Sequence, residues 1–142
     1  MQYDLLVLGA GSGGMAAAVK AAQNGARVAV VEPKYPGGTC VNLGCVPKKV
    51  MYNAASIAHH MHKATDYGYK KPEIHLDWAT LVARREAYIK NLRGIYLNRF
   101  KQYDMTLLEG MGRFTKEGVV CVNHEEITAK HIIIAVGGEP VM

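Results

Sequence analysis

Cysteine is scarce in this sequence, and long apolar segments are absent from it. Three cysteines among 142 residues are too few for the disulfide framework of a small secreted domain. The first apolar run stops at glycines, well short of the roughly 20 residues that cross a bilayer. No basic region precedes that run, as one would in a signal peptide. The sequence therefore predicts a cytoplasmic protein that has no membrane association.

Basic side chains are in excess, but they form no cluster. The chain has 17 Lys and Arg against 12 Asp and Glu, which gives a formal net charge of +5. These side chains are scattered, and neither a basic block nor an RNA-binding signature is present. The sequence therefore predicts no nucleic-acid partner, and the charge indicates either an ordinary solvated surface or an anionic small ligand. The hydrophobic content of 49% is typical of a globular domain.

The first part of the chain follows a strand–helix–strand pattern. The apolar run Tyr3–Leu8 predicts a buried parallel strand, and the letters GAGSGG come directly after it. The alanine-rich segment Met15–Gln23 favours a helix, which Asn24 and Gly25 can end. Ala26–Val31 then predicts a second buried strand. Such a unit is the building block of parallel α/β sheets.

Two longer helices and several short strands are predicted downstream. Helical patterns cover Val41–Lys63 and Trp78–Tyr103, and Asp77 can cap the second helix. A loop over Tyr67–His75 contains Pro72. Turn signals separate five short strands, namely Met105–Leu108, Gly112–Phe114, Val119–Val122, Glu126–Thr128 and Ile132–Val136. The predicted fold class is α/β: a Rossmann-like domain with a parallel sheet, flanking helices and a small antiparallel β-meander.

The glycine-rich turn matches the fingerprint of a dinucleotide-binding site. Gly9, Gly11 and Gly14 have the GxGxxG spacing, which allows a tight turn, close approach of a pyrophosphate and close helix packing. Glu32 ends the second strand, where an acid can bind the ribose hydroxyls. A carboxylate repels a 2′-phosphate, so the site predicts FAD or NAD rather than NADP. The alternative is a tight turn in an α/β unit that binds no nucleotide.

Cys40 and Cys45 lie five positions apart in the stretch GGTCVNLGCVPKK. On a regular helix their Cα atoms would be roughly 8.6 Å apart, whereas the Cα separation in disulfides seldom exceeds about 7 Å. A bond between them requires a distorted helix start, for which Gly44 gives the backbone freedom. A strained bridge and a helix N-terminus, which lowers thiol pKa values, both suit a catalytic disulfide. The alternatives are two inert core thiols or a metal site with His59 and His62, although no metal is predicted.

Together these motifs resemble one enzyme family. The letters GAGSGG, Glu32, GGTCVNLGCVPKK and the final IIIAVGG are similar to those of FAD-dependent pyridine nucleotide–disulfide oxidoreductases, and the likeness covers the whole chain. Within the family, CVPKK and DWATLVARREAYIKNLRGIY resemble the glutathione reductases. Trypanothione reductases, large thioredoxin reductases and dihydrolipoamide dehydrogenases stay open as alternatives. A non-enzymatic nucleotide-binding or thiol-sensing module stays open as well.

The resemblance implies a sequence of two-electron transfers. NADPH would reduce FAD, FAD would reduce a Cys40–Cys45 disulfide, and the resulting dithiol would reduce glutathione disulfide. Cys45 is further along the expected helix and beside Lys48, so it would lie against the flavin, whereas Cys40 would attack the substrate. Lys48 would lie near flavin N5, where a positive charge stabilises electron density that arrives on the ring.

The resemblance also implies a set of binding residues. Ser12, Tyr88 and Tyr96 would contact glutathione, although the two tyrosines can instead be core residues on one helix face. Ala16 and Ile95 stand where trypanothione reductases carry an acid and a serine, which favours an anionic substrate. The cofactor would be held by Gly9, Gly11, Ser12, Gly13, Gly14, Glu32, Gly38, Thr39, Cys40, Lys48, Gly112, Ala135 and Gly137.

The resemblance finally implies that this chain is the first part of a larger enzyme. Residues 1–142 would form the first segment of the FAD-binding domain. The NADPH domain would lie outside this chain, as would the dimer-interface domain, whose histidine–glutamate pair acts from the partner subunit. The full-length enzyme would be a homodimer, and the segment alone would be inactive.

Overall fold

Four parallel strands form the larger of two sheets in the described part of the chain. The computed structural model describes residues 2–70, 73–115 and 117–139. The strands are β1 (Tyr3–Leu8), β2 (Val28–Glu32), β3 (Thr106–Glu109), β4 (Gly112–Phe114), β5 (Val120–Val122), β6 (Glu125–Ile127) and β7 (Ala129–Ile134). The parallel sheet has the order β3-β2-β1-β7. Its strand order reverses beside β1, which is where open α/β sheets bind their ligands.

The smaller sheet is an antiparallel β-meander of three strands in the order β4-β5-β6. It lies between β3 and β7 in the chain, so the last strand of the parallel sheet follows it directly. The predicted fold class, a Rossmann-like α/β domain with a parallel sheet and a small meander, is confirmed.

Helices occupy the segments between β1 and β3. They are α1 (Ser12–Gln23), α2 (Gly38–Asn42), α3 (Cys45–Lys63) and α4 (Trp78–Gln102), with a 3-10 turn at Ala64–Tyr67. Asp77 caps α4 as predicted, because its carboxylate accepts a hydrogen bond from the backbone N–H of Thr80 at 3.1 Å. Within the described ranges, no helix is both long enough and apolar enough to cross a membrane.

The central strands β1 and β2 of the parallel sheet are buried on both faces, as their apolar sequences predict. Side chains alternate along β1, so Leu5 and Val7 point to one face and Leu6 and Leu8 to the other. Leu5 and Val7 pack in a cluster with side chains of α1 and α4. Leu6 and Leu8 pack in a second cluster with side chains of β5 and β6. The meander therefore covers the face of the sheet opposite the helices.

Some element boundaries differ from the sequence-based prediction. Helix α1 begins at Ser12 rather than Met15, because Gly13 and Gly14 fit its first turn despite their low helix propensity. Strand β7 begins at Ala129 rather than Ile132, because its register on β1 pairs Ala129 with Tyr3. Pairing with the neighbouring strand, which the local sequence does not report, sets the length of β7.

The loop predicted between α3 and α4 is partly present. Its start at Tyr67 is instead the end of the 3-10 turn, and Gly68 follows with a positive φ of 85°. Pro72 lies outside the described residues. Tyr69 and Leu76, on either side of it, are exposed.

A charged cluster joins β1, β7 and the residue before β2 at the amino end of the parallel sheet. Asp4 of β1 accepts a hydrogen bond from the Lys130 ammonium group at 2.7 Å and from the backbone N–H of Arg27 at 2.9 Å. These two bonds lower the pKa of the Asp4 carboxyl from 3.8 to about 2. The carboxylate therefore ties β1 to β7 and to the residue that precedes β2.

This cluster predicts a defined pH dependence of stability. A carboxyl whose pKa is lowered by folding stabilises the fold above its unfolded pKa, and this contribution is lost as the pH falls from about 4 to about 2. Asp4→Asn should therefore lower the Tm at pH 6 and have a much smaller effect at pH 2, where about half of the folded-state Asp4 carboxyls are protonated. Thermal unfolding of both chains at several pH values checks this.

The matched control for this experiment is Asp66→Asn. Asp66 is an exposed acid whose contact with Lys63 is 3.9 Å long, and such surface pairs contribute little. The Tm of the Asp66→Asn chain should vary with pH as the wild-type Tm does. A Tm difference between Asp4→Asn and wild type that is constant from pH 6 to pH 2 would contradict the assignment.

Candidate functional site

The glycine-rich turn after β1 forms a tight bend that only glycine can occupy. Gly9 has a φ of +104°, and its N–H donates to the Val31 carbonyl at 2.8 Å. A Cβ atom on Gly9 would collide with the carbonyl oxygen of Ala135, and one on Gly14 would collide with the carbonyl oxygen of Gly9. The first and third glycines of the motif therefore allow β7 and α1 to approach the turn.

The first two residues of α1 face away from the core. Ser12 and Gly13 are exposed, and a Cβ built on Gly13 has no atom within 4 Å beyond its chain neighbours and the nearby backbone of its own helix. The first N–H groups of a helix lack intrahelical partners and carry the positive end of its dipole. This turn can therefore receive a pyrophosphate, as the sequence predicts.

Glu32 lies beside the glycine loop and holds it. One carboxylate oxygen accepts from the backbone N–H of Ala10 at 2.9 Å, and the other accepts from the N–H of Lys34 at 3.0 Å. A carboxylate offers about four lone-pair sites, so each oxygen can still accept a ribose hydroxyl. The sequence predicts Glu32 as a ribose ligand but does not show its bond to the loop, because that bond joins residues 22 positions apart.

Three of the other proposed cofactor residues lie near the carboxyl ends of β1 and β2. A Cβ on Gly112 would lie 3.2 Å from the Leu8 side chain and 3.3 Å from that of Val31. The N–H of Ala135 donates to the Leu8 carbonyl at 2.8 Å. Gly137 follows two residues later, with a φ of +77°. Their roles in binding a cofactor stay predictions.

The cysteine-bearing stretch docks directly on the glycine loop. The N–H of Gly37 donates to the Ala10 carbonyl at 2.8 Å. A Cβ on Gly38 would lie 2.7 Å from the Cα of Gly11, so the two backbones cross too closely for a side chain at position 38. Gly38 also has a φ of +59°. Thr39 is exposed in the same turn.

The cysteines belong to two helices, and the prediction of one helix from Val41 is wrong. Cys40 is in α2, whereas Cys45 is the first residue of α3. Between the helices the Thr39 carbonyl accepts from the N–H of Leu43 at 2.9 Å and from that of Gly44 at 2.6 Å. This tight turn is the distortion that a bond between the cysteines requires. Cys45 therefore does not lie further into the helix of Cys40, which was one reason for placing it against the flavin.

The two thiols are neighbours, and their contact raises the pKa of Cys40. The side-chain hydrogen bond with Cys45 is the main cause, and desolvation adds to it. The backbone N–H of Cys45 and the charge of Lys49 act in the opposite direction. The expectation of a lowered thiol pKa is therefore wrong for Cys40, because a second thiol competes with the helix N-terminus. Both thiols are free, Cys40 half-buried and Cys45 exposed.

Two lysines follow the cysteines on the first turns of α3. Lys48 is exposed, and its backbone N–H donates to the Gly44 carbonyl at 3.0 Å. The neighbouring Lys49 is the one whose charge acts on Cys40. The family resemblance assigns a role to Lys48 and none to Lys49. The role of Lys48 at the flavin stays a prediction.

The two tyrosines proposed for glutathione lie on α4 in different environments. Tyr88 is 50% exposed, so its ring is available to a ligand. Tyr96 is half-buried and packs against the cluster beneath α1, while the Arg99 guanidinium lies 5.3 Å from its ring centroid. Tyr96 therefore has at least the role of a core residue, which was the alternative interpretation of the two tyrosines.

The histidines named as metal candidates are on α3. The rings of His59 and His60 meet edge to face at 6.1 Å, and His60 Nδ1 is 2.7 Å from the Ser56 carbonyl oxygen. Among the residues that the structure describes, no group of three or more His, Cys, Asp or Glu side chains could hold a metal ion.

These features define a class of protein: a Rossmann-like dinucleotide-binding domain that carries a close cysteine pair against its glycine loop. The family model described as pyridine nucleotide-disulphide oxidoreductase matches residues 3–142, and the chain belongs to this family. Members of the family bind FAD and NAD(P)H.

One curated relative is glutathione reductase from Yarrowia lipolytica (strain CLIB 122 / E 150). The two chains are 41% identical over 154 aligned positions, which cover 97% of this chain and 32% of the relative. The chain therefore spans about a third of the length of this relative.

Proposed function

We propose that residues 1–142 form the first FAD-domain segment of an NADPH-dependent disulfide reductase whose substrate is glutathione disulfide. Cys40 and Cys45 are its redox-active pair, and the full-length enzyme is a homodimer. The NADPH domain and the dimer-interface domain belong to the remainder of that enzyme. The similarity to a glutathione reductase over almost the whole chain supports this proposal.

The docking of the cysteine stretch on the glycine loop is the observation that carries the proposal. The Gly37–Ala10 hydrogen bond and the Gly38–Gly11 crossing make the two motifs one structural unit. A pyrophosphate held by the loop therefore fixes where the rest of the cofactor lies relative to the cysteines. A thiol-sensing module that binds no flavin has no need of this shared unit.

The residues at this edge of the sheet fit FAD. The open first turn of α1 at Ser12 and Gly13 suits the pyrophosphate, and Glu32 suits the ribose. Gly11 and Gly38 leave a backbone surface that a side chain would obstruct. Bound FAD would accept two electrons from NADPH and supply them to the cysteine pair.

The cysteine pair performs the second half of the reaction by thiol–disulfide exchange. The Cys40 thiolate attacks one sulfur of glutathione disulfide, which releases one glutathione thiolate and leaves a mixed disulfide. The Cys45 thiolate then attacks the Cys40 sulfur and releases the second glutathione. The dithiol loses two electrons and two protons, and the substrate gains them as two thiols.

The raised pKa of Cys40 makes this step depend on a proton acceptor. A thiol must lose its proton before it attacks, and the Cys45 thiol opposes that loss while Lys49 favours it. By resemblance, the acceptor is the histidine–glutamate pair of the partner subunit. The positive charge of Lys49 also attracts an anionic substrate.

Glu32→Ala should weaken FAD binding in the full-length enzyme far more than Glu126→Ala does. Loss of a hydrogen bond to a charged acceptor costs about 1.5–3 kcal/mol, and Glu32 additionally fixes Ala10 of the loop. Glu126 is the matched control, because it is an exposed acid on β6. Titration of each apoenzyme with FAD measures the two Kd values. Equal affinities would refute the assignment.

The isolated 142-residue chain should bind FAD weakly or not at all. The glycine loop and Glu32 contact the ADP half of the cofactor, whereas the remainder of the isoalloxazine site is proposed to come from later segments. Equilibrium dialysis or flavin fluorescence against the purified chain measures this. A yellow protein with near-stoichiometric FAD and micromolar or tighter affinity would show that the segment is a complete binding domain.

A further inference from the structure

An arginine of α4 reaches across to the segment that carries Cys40. The Nε–H of Arg93 donates to the side-chain oxygen of Asn42 at 2.6 Å. Its guanidinium group also lies 3.8 Å from the ring centroid of Tyr35. A planar guanidinium can make both contacts at once, by donating in its plane and stacking on its face. Arg93 thus joins α4 to both ends of the segment 35–42.

Asn42 extends this contact into the backbone before the first cysteine. Its amide group donates to the carbonyl of Gly38 at 2.9 Å and, at longer distances, to the carbonyls of Tyr35 and Pro36. Asn42 is the last residue of α2, and it lies between the two cysteines in the chain. The Asn42 side chain therefore connects Arg93 with the backbone that precedes Cys40.

Helix α2 needs such contacts because it is too short to be stable by itself. It has five residues, whereas isolated helices below about 12–15 residues are marginal in water. Its position must come from the docking at Gly37 and Gly38 and from contacts with α3 and α4. The Arg93–Asn42 bond is a contact of this kind with a charged donor, and bonds to charged groups are the stronger class.

We infer that Arg93 is a positioning residue for the redox pair: through Asn42 it holds α2 so that the Cys40 thiol stays beside the Cys45 thiol. This inference rests on the proposed disulfide exchange of the pair. Held thiols lose less conformational entropy when they bond, so positioning raises their effective concentration. The network should therefore favour formation of the intramolecular disulfide.

The test is the thiol–disulfide equilibrium of the 142-residue chain, in a Cys121→Ser background so that only the pair titrates. The chain is equilibrated with mixtures of glutathione and glutathione disulfide and quenched in acid. The free thiols are then alkylated and counted by intact mass. Arg93→Gln should lower the equilibrium constant for the Cys40–Cys45 disulfide about tenfold, which is about 1.4 kcal/mol. An unchanged constant would overturn the inference.

A double-mutant cycle separates positioning through Asn42 from general damage. Asn42→Ala should lower the constant at least as much, and Arg93→Gln added to it should change it less than twofold, because both substitutions break one connection. Equal drops in both backgrounds would show that Arg93 does not act through Asn42. If Arg93→Gln fails to fold, Arg93→Lys takes its place, since lysine lacks the planar Nε–H. The same drop in the equilibrium constant is then expected, and an unchanged constant would again overturn the inference.

Arg84→Gln is the matched control on the same helix. Arg84 is exposed, and at nine positions from Arg93 it lies on the opposite face of α4. The equilibrium constant of the Arg84→Gln chain should equal that of the wild type. A tenfold drop in this constant would assign the effect to α4 as a whole. A wild-type chain that forms no disulfide at any glutathione ratio would overturn both this inference and the proposed redox pair. A wild-type disulfide that is insensitive to Arg93→Gln would overturn this inference alone.

Discussion

Replacing either Cys40 or Cys45 by serine will reduce glutathione disulfide turnover by the full-length enzyme to background. Exchange needs one thiol to attack and a second to resolve the mixed disulfide, and serine performs neither step. Flavin-linked oxidation of NADPH by artificial electron acceptors should survive in both variants, because it bypasses the pair. Steady-state assays with the two kinds of acceptor measure this contrast.

Cys121→Ser is the control, because this third cysteine lies in β5 on the meander, away from the paired thiols. It should retain disulfide reduction. The two active-site variants should also differ from each other. Cys40→Ser should leave a Cys45 thiolate that gives a long-wavelength absorbance band with oxidised flavin, and Cys45→Ser should not. The reverse pattern would exchange the roles of the cysteines, and full activity in either variant would show that the pair is not the redox centre.

Gly14→Ala will destabilise the chain, although alanine is the better helix former. A Cβ at this position collides with the carbonyl oxygen of Gly9, and neither backbone can move without opening the turn. Overpacking of this kind typically costs about 1–3 kcal/mol. Urea unfolding of the 142-residue chain should show a lower midpoint, and FAD affinity of the full-length enzyme should fall with it.

Gly94→Ala is the matched control, since it makes the same substitution inside α4, where the new Cβ has no atom within 4 Å beyond its chain neighbours and the nearby backbone of its own helix. Alanine should raise stability there by about 0.5–1 kcal/mol. The two substitutions thus have opposite expected signs. A Gly14→Ala chain as stable as wild type would mean that the glycine loop does not approach α1 as described.

The parts of the fold that follow from local pattern could be predicted from the sequence. The apolar run of β1 predicts a strand that is buried on both faces, and the glycines after it predict a turn into a helix. Asp77 before Trp78 predicts the start of α4. These features depend on residues close together in the chain, so the sequence displays them directly.

The parts that depend on distant residues could not be predicted in the same way. The Thr39 carbonyl ends α2 and separates the cysteines into two helices, yet the helical periodicity of the region continues through this break. The Arg93–Asn42 bond spans 51 positions. The sequence resemblance assigns a role to Lys48, and only the folded arrangement shows that the charge of Lys49 acts on Cys40.

Anaerobic reductive titration of the full-length enzyme tests the central claim, that Cys40 and Cys45 form a redox pair in contact with a bound flavin, most directly. The flavin and the disulfide each accept two electrons. Complete reduction should therefore consume four electrons per flavin in the wild type and two in Cys45→Ser. Two electrons per flavin in both proteins would contradict the account, because the cysteine pair would then take no part in electron transfer.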